Sequence, residues 1–173
     1  MSLREDAVLE RFSDRKGRAI TLRSGGPGWA EALYGMYRTY DPSQQAQGIP
    51  PLHPVRLREW LRSLLEEGIN LLAVHGDRVV GHVVLMPDRL GSYELAIFVH
   101  QDFQGAGVGS RLLQALIVHA RERGVKEIWL SVEAWNHRAI RLYRKAGFGK
   151  VEGDQWEQIW GLRLADVSHQ GRP

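Results

Sequence analysis

The chain contains no cysteine, which excludes disulfides, thiolate metal ligands, redox thiols and a covalent cysteinyl-acyl intermediate. No apolar run approaches the roughly 20 residues that a membrane-spanning helix needs. No opening segment joins basic residues to an apolar stretch in the manner of a secretion signal. The expectation is a soluble, cytoplasmic protein without a membrane partner. Blocks of like charge are missing as well: 23 Lys and Arg stand against 20 Asp and Glu, for a formal net charge of +3. Scattered arginines of this kind argue against nucleic acid as a partner. The histidines show no His-x-x-x-His spacing and no grouping with carboxylates, so no metal is expected. Repeats, low-complexity tracts and a Gly-x-Ser-x-Gly nucleophile elbow are all absent.

What is present suffices for one domain: 173 residues, 43% of them hydrophobic, can bury a core without staples. Residues 1–17 read as an N-terminal extension, 18–164 as the folded domain and 165–173 as a polar C-terminal tail. A strand is expected at Arg18 to Arg23, then an amphipathic helix carrying Trp29, Leu33, Met36, Tyr37 and Tyr40. Asp41 to Pro54 holds four of the seven prolines and reads as a long loop or lid. A second helix bears Leu57, Trp60, Leu61, Leu64 and Leu65.

Three strands follow, Asn70 to His75, Arg78 to Met86 and Ser92 to His100, the first two joined by a Gly76-Asp77 turn. Next come a helix from Gly107 to Arg123, a strand from Glu127 to Glu133, a helix from Asn136 to Ala146, and strands at Phe148 to Glu152 and Trp156 to Leu164. The sum is a mixed α/β domain of about seven strands flanked by about four helices, not doubly wound because the meander interrupts strand and helix alternation. Trp156 and Trp160 share a face of the last strand by their even spacing. They read as core or as a homodimer interface, core being preferred.

Gln104-Gly105-Ala106-Gly107-Val108-Gly109 follows a strand and opens a helix. Glycines there let successive N–H groups approach an anion, and the helix N-terminus adds positive potential, so the segment reads as a phosphate cradle or else as a flexible turn. It lacks the Gly-Lys-Ser/Thr of a P-loop and the spacing of a dinucleotide fingerprint, which makes a nucleotide triphosphatase or a hydride-transfer enzyme a poor fit.

A second cluster, Asn136-x-x-Ala139-x-x-Leu142-Tyr143-x-Lys145-x-Gly147-Phe148, stands about 30 residues after the first. Together, Gln104-x-x-Gly107-x-Gly109 and this cluster resemble the GNAT superfamily of N-acetyltransferases, and the element order from Ile20 to Leu164 agrees. The resemblance implies a central, mostly antiparallel sheet and an acetyl-coenzyme A co-substrate with an amine acceptor as partner. It implies that the diphosphate meets the backbone from Gly105 through Ala106, Gly107, Val108 and Gly109 to Ser110. The pantetheine arm would run along main-chain groups of Ile97, Phe98 and Val99, with the Val99 amide as oxyanion donor.

Asn136 then reads both as a helix N-cap and as a pantetheine contact. Tyr143 is either a core aromatic or the phenol that serves the departing thiolate. An amine acceptor arrives protonated and needs a base. Glu94 is the candidate, because it shares a strand face with Ala96, Phe98 and His100, whose apolar members would raise its pKa; the alternative is a solvated strand-end carboxylate. Glu133 is the reserve base, and His100 is a proton relay or a hydrated strand-end histidine. The function expected is N-acetyl transfer to a protein lysine, an N-terminus or a small-molecule amine by direct attack. A non-catalytic acyl-coenzyme A sensor is the alternative.

Overall fold

The computed structural model describes residues 6–44 and 49–165. Among them the elements run β1 (Val8–Ser13), β2 (Ala19–Gly25), α1 (Ala30–Arg38), α2 (Pro54–Glu67), β3 (Ile69–His75), β4 (Arg78–Pro87) and β5 (Tyr93–Val99). After these come α3 (Val108–Glu122), β6 (Glu127–Glu133), α4 (His137–Lys145), β7 (Gly149–Gly153) and β8 (Glu157–Arg163). The strands form one sheet in the order β1-β2-β3-β4-β5-β6-β8-β7. Every neighbouring pair is antiparallel except β5 and β6. No helix of the described residues is long and apolar enough to cross a membrane.

Alternation along the strands feeds two apolar layers. On β5, Leu95 joins Leu112, Leu116 and Ile140 of α3 and α4 on one face, with Ile97 and Val99 packed beside them. Phe98 joins Leu33, Tyr37, Leu57 and Leu61 of α1 and α2 on the other, with Ala96 beside it. The central strand β4 is buried on both faces over most of its length. Pro54 sits in the first turn of α2, where its missing N–H has no helical partner to lose.

The structure departs from the sequence reading at residues 8–13 and at Trp156. Residues 8–13, placed in an extension, form β1 and pair with β2 from Val8↔Arg23 to Ser13↔Ala19. That makes eight strands where about seven were expected; β1 gives little signal because none of its residues is buried and the alternation is broken at Leu9 and Glu10, both half-buried, where the register shifts. The loop from Asp41 to Pro54 contains a short 3-10 turn at Pro42–Gln44, its residues 45–48 lying outside the described ones, as does the tail beyond 165. Trp160 is core at 4% exposure, whereas Trp156 is 63% exposed. The even spacing misleads because β8 begins at Glu157. Trp156 lies in the preceding turn and packs edge-on against Trp135 at 6.1 Å.

A buried polar chain ties the α1–α2 layer to the sheet. Asn70 Nδ2 donates to the carbonyls of Leu64 (2.7 Å) and Gly68 (2.9 Å). Its Oδ1 is therefore the acceptor facing His82 Nε2 at 2.9 Å, which fixes the tautomer and leaves Nδ1 to accept from Tyr37 Oη at 2.7 Å. His82 is fully buried, and burial brings its pKa from 6.5 down to about 3. The unfolded chain thus binds a proton there that the folded one refuses. Stability from this residue is complete above the unfolded value and falls as the pH drops toward the folded one, by about 1.4 kcal/mol per pH unit. Urea midpoints measured between pH 7 and pH 5 should decline accordingly; a flat profile contradicts the neutral buried imidazole.

Candidate functional site

The two parallel strands β5 and β6 pair only at Tyr93↔Ile128 and Glu94↔Trp129. Beyond these pairs they diverge, and a cleft of about 880 Å³ opens between them. Its walls are β5 from Glu94 to Val99, the glycine loop, Ser131 to Glu133 at the end of β6, and the exposed side of α4.

Hydrogen-bond parity decides which main-chain groups of β5 face this opening. The His100 N–H donates to Val80 O at 2.9 Å, which makes Gly81↔Val99 a pair that exchanges no backbone hydrogen bonds. The β4–β5 register has no shift, so Val83↔Ile97 is a pair of the same kind. Ile97 and Val99 therefore turn their N–H and C=O groups away from β4 and toward the cleft. Phe98, opposite His82, spends its backbone groups on β4. Phe98 therefore has no main-chain group free for the contact expected of it, whereas the N–H groups of Ile97 and Val99 point into the cleft.

The glycine loop closes one end. Gly105 and Gly107 take φ of 72° and 92°, left-handed values at which a side chain would be strained, and Gly107 is the N-cap of α3. Gly105, Gly107, Gly109 and Ser110 line the cleft. Ala106 and Val108 are buried and are not among the lining residues, so those two contribute to the loop only through their backbone. Gln104 fastens the loop to both walls: its Nε2 donates to Val99 O at 2.8 Å and to Gln44 Oε1, and its Oε1 accepts from Arg138 Nη1 at 2.8 Å. With the Val99 carbonyl occupied in this way, the Val99 N–H is the group left facing the opening.

Asn136 caps a helix and also faces the cleft. Its side chain accepts from Ala139 N at 3.1 Å as the cap of α4, and it lines the cleft. Tyr143 is buried and lines the cleft, with a phenol pushed up to about 12 by burial and, secondarily, by nearby Tyr40. Glu94 also lines the cleft. Although its side chain reaches solvent, its carboxyl is raised above the usual range, first by partial burial and then by the negative charge of Asp88. Asp88 is held at about 2, chiefly by the Ser92 hydroxyl at 2.7 Å and also by the Trp129 indole at 2.9 Å.

Glu133 lines the cleft too, but His100 does not. His100 is buried beneath the C-terminal end of α1, its Nε2 3.1 Å from Thr39 Oγ1 and its Nδ1 3.5 Å from Asp102 Oδ2. Neither the relay nor the hydrated histidine fits, because the chain turns into a 3-10 segment directly after it. The basic lining was not foreseen. Arg138, Arg141 and Lys145 line the cleft from α4, at spacings of three and four that already put them on one helix face. Arg15 adds a further basic group, and Tyr40 also lines the cleft, both from distant parts of the chain. No group of three or more metal-binding side chains occurs among the described residues.

The Acetyltransferase (GNAT) family model matches residues 31–148. The chain belongs to this family. Among its relatives, the mycothiol acetyltransferase of Actinosynnema mirum is 34% identical over 138 residues, 78% of this chain and 46% of that protein. The [ribosomal protein bS18]-alanine N-acetyltransferase of Haemophilus influenzae is 30% identical over 122 residues, 66% of this chain and 75% of the relative. The chain thus spans about half the length of the mycothiol acetyltransferase it matches. The GNAT domain of S. lividans PAT superposes with a TM-score of 0.78 at 21% identity, covering 92% of this chain and 97% of that one. A Thermoplasma acidophilum N-acetyltransferase in complex with coenzyme A gives a TM-score of 0.69 at 17% identity, covering 84% and 99%. Both likenesses concern the GNAT fold.

Proposed function

We propose that this GNAT domain transfers the acetyl group of acetyl-coenzyme A to a primary amine by direct attack, with both substrates held in the cleft. The observation that carries the reading is the parting of β5 from β6, which aims the N–H groups of Ile97 and Val99 into a cleft that ends on left-handed glycines. Such a cleft suits a ligand with an amide-bearing arm and a phosphate-bearing end. The co-substrate supplies an activated acyl thioester.

The chain's own groups divide the remaining work. Backbone amides from Gly105 to Ser110 and the positive end of α3 hold the diphosphate. Arg138, Arg141 and Lys145 supply counter-charge. Ile97, Val99 and Asn136 orient the pantetheine arm. Glu94 takes the proton from the incoming ammonium, a task that its raised pKa favours. The Val99 N–H donates to the thioester oxygen as charge develops there, an interaction typically worth about 3 kcal/mol.

Tyr143 donates a hydrogen bond to the departing sulfur. With its phenol at about 12 and an ordinary thiol near 8.5, complete proton transfer is uphill, and a hydrogen bond is the contribution that fits. Glu94 and Tyr143 lining one cleft favours an enzyme over an acyl-coenzyme A sensor. The acceptor is a protein amine, as the name of the ribosomal-protein relative suggests, or a small-molecule amine.

Thiol release from acetyl-coenzyme A, measured with and without lysine peptides, N-terminal peptides, polyamines, amino acids and aminoglycosides, tests the reading. Amine-dependent release supports it; coenzyme binding without release for any amine contradicts it. With an active amine, Tyr143→Phe should lower kcat by about tenfold or more, the value of a hydrogen bond to a charged group. A wild-type kcat removes Tyr143 from the mechanism.

A further inference from the structure

The turn between β1 and β2 lies outside residues 31–148 matched by the family model, yet it is built against the glycine loop. Asp14, 6% exposed, organises it. Its Oδ1 accepts from the N–H groups of Lys16 and Arg18, both at 2.9 Å, and its Oδ2 accepts from Arg18 Nε at 2.7 Å. Arg18 carries the turn onto the chain just before the loop, donating to Asp102 O at 2.9 Å and lying 3.8 Å over the Phe103 ring. Arg15 N then donates to Ala106 O at 3.0 Å, a backbone tie to the loop itself. Farther along the hairpin, Glu10 pairs with Arg111 in the first turn of α3 at 3.1 Å.

Arg15 is consequently held in place by its backbone while its side chain remains exposed. That side chain crosses Gly107, with Nε 3.8 Å from where a Cβ on that glycine would sit, and it lines the cleft beside Gly105 and Gly107. A guanidinium so placed faces whatever anion the loop amides hold.

We propose that Arg15 is a binding residue for the diphosphate of the coenzyme, closing over the glycine loop from a hairpin that the family's shared segment does not include. This inference rests on the reading of the cleft as a coenzyme A site. A planar guanidinium over backbone N–H groups gives two-sided, charge-assisted recognition of a phosphate. The turn pins the backbone of Arg15 beforehand, which lowers the ordering cost of binding.

The test is calorimetric binding of coenzyme A and of 3′-dephospho-coenzyme A to the wild type, Arg15→Ala and Lys16→Ala. Arg15→Ala should weaken coenzyme A by about tenfold, a screened charge-assisted contact, and should weaken the dephospho form by the same factor. Lys16→Ala removes an exposed charge from the same turn and should change either affinity by less than about twofold. Wild-type affinity in Arg15→Ala overturns the proposal. So does a loss that disappears with the dephospho form, which would move Arg15 to the 3′-phosphate, or an equal loss in Lys16→Ala, which would reduce the effect to net charge. Failure of the wild type to bind coenzyme A defeats the reading of the cleft instead, so the two failures are distinguishable.

Discussion

Glu94→Gln should lower turnover at neutral pH by about a hundredfold or more, the usual contribution of a positioned general base, while leaving the affinity for acetyl-coenzyme A unchanged. The change is nearly isosteric and removes only the ability to accept a proton. Glu94 lies where β5 and β6 still pair, at the opposite end of the strand from the glycine loop, so coenzyme binding should not register it. The pH profile carries the second half of the expectation. The Glu94 carboxyl is raised by partial burial and by Asp88, so wild-type activity should fall on the acid side as this elevated group protonates. In Glu94→Gln that acid limb should disappear along with most of the rate. Unchanged turnover with the acid limb intact would transfer the base role to Glu133, the other cleft carboxylate.

His82→Leu should have the largest effect on stability. It removes the central member of the Tyr37–His82–Asn70 chain and leaves the Tyr37 hydroxyl and Asn70 Oδ1 buried without their partner. Each such orphan costs about 1–3 kcal/mol, and a domain of this size loses roughly 2–4 °C in Tm per kcal/mol. Thermal unfolding should therefore move down by about 4–24 °C. The same variant should flatten the decline in stability between pH 7 and pH 5, because the group that the unfolded chain protonates is gone. A Tm within about 2 °C of wild type would show that the chain is dispensable.

Local patterns made most of the molecule legible from sequence. The amphipathic helices α1 to α4, the Gly76-Asp77 turn and the meander from β3 to β5 are written in residue periods of 3.6 and 2. The glycine loop and the Asn136 to Phe148 cluster carry spacings that pointed to the family. Relations between distant segments stayed hidden. No residue type near Val99 announces that β6 leaves β5 after Glu94, and the backbone roles of Ile97, Phe98 and Val99 follow from pairing parity with β4. The fate of His100 depends on Thr39 at the end of α1, and that of Arg15 on a hairpin folding against a loop far along the chain. Trp156 was misplaced by a strand boundary of one residue, and β1 by a broken alternation with no buried residue. His82 sits in a strand buried on both faces, where periodicity does not distinguish a histidine with partners from an apolar position.

The central claim is that the cleft between β5 and β6 receives the pantetheine arm on the free N–H groups of Ile97 and Val99. Residue-resolved amide hydrogen exchange, with and without saturating acetyl-coenzyme A, tests it most directly. The account predicts that Ile97 and Val99 exchange slows on binding, because their N–H groups face away from β4 and β6 does not pair with them. Phe98, already paired to β4, should change little. Protection at Phe98 instead, or no change at Ile97 and Val99 in the presence of bound coenzyme, would contradict the account.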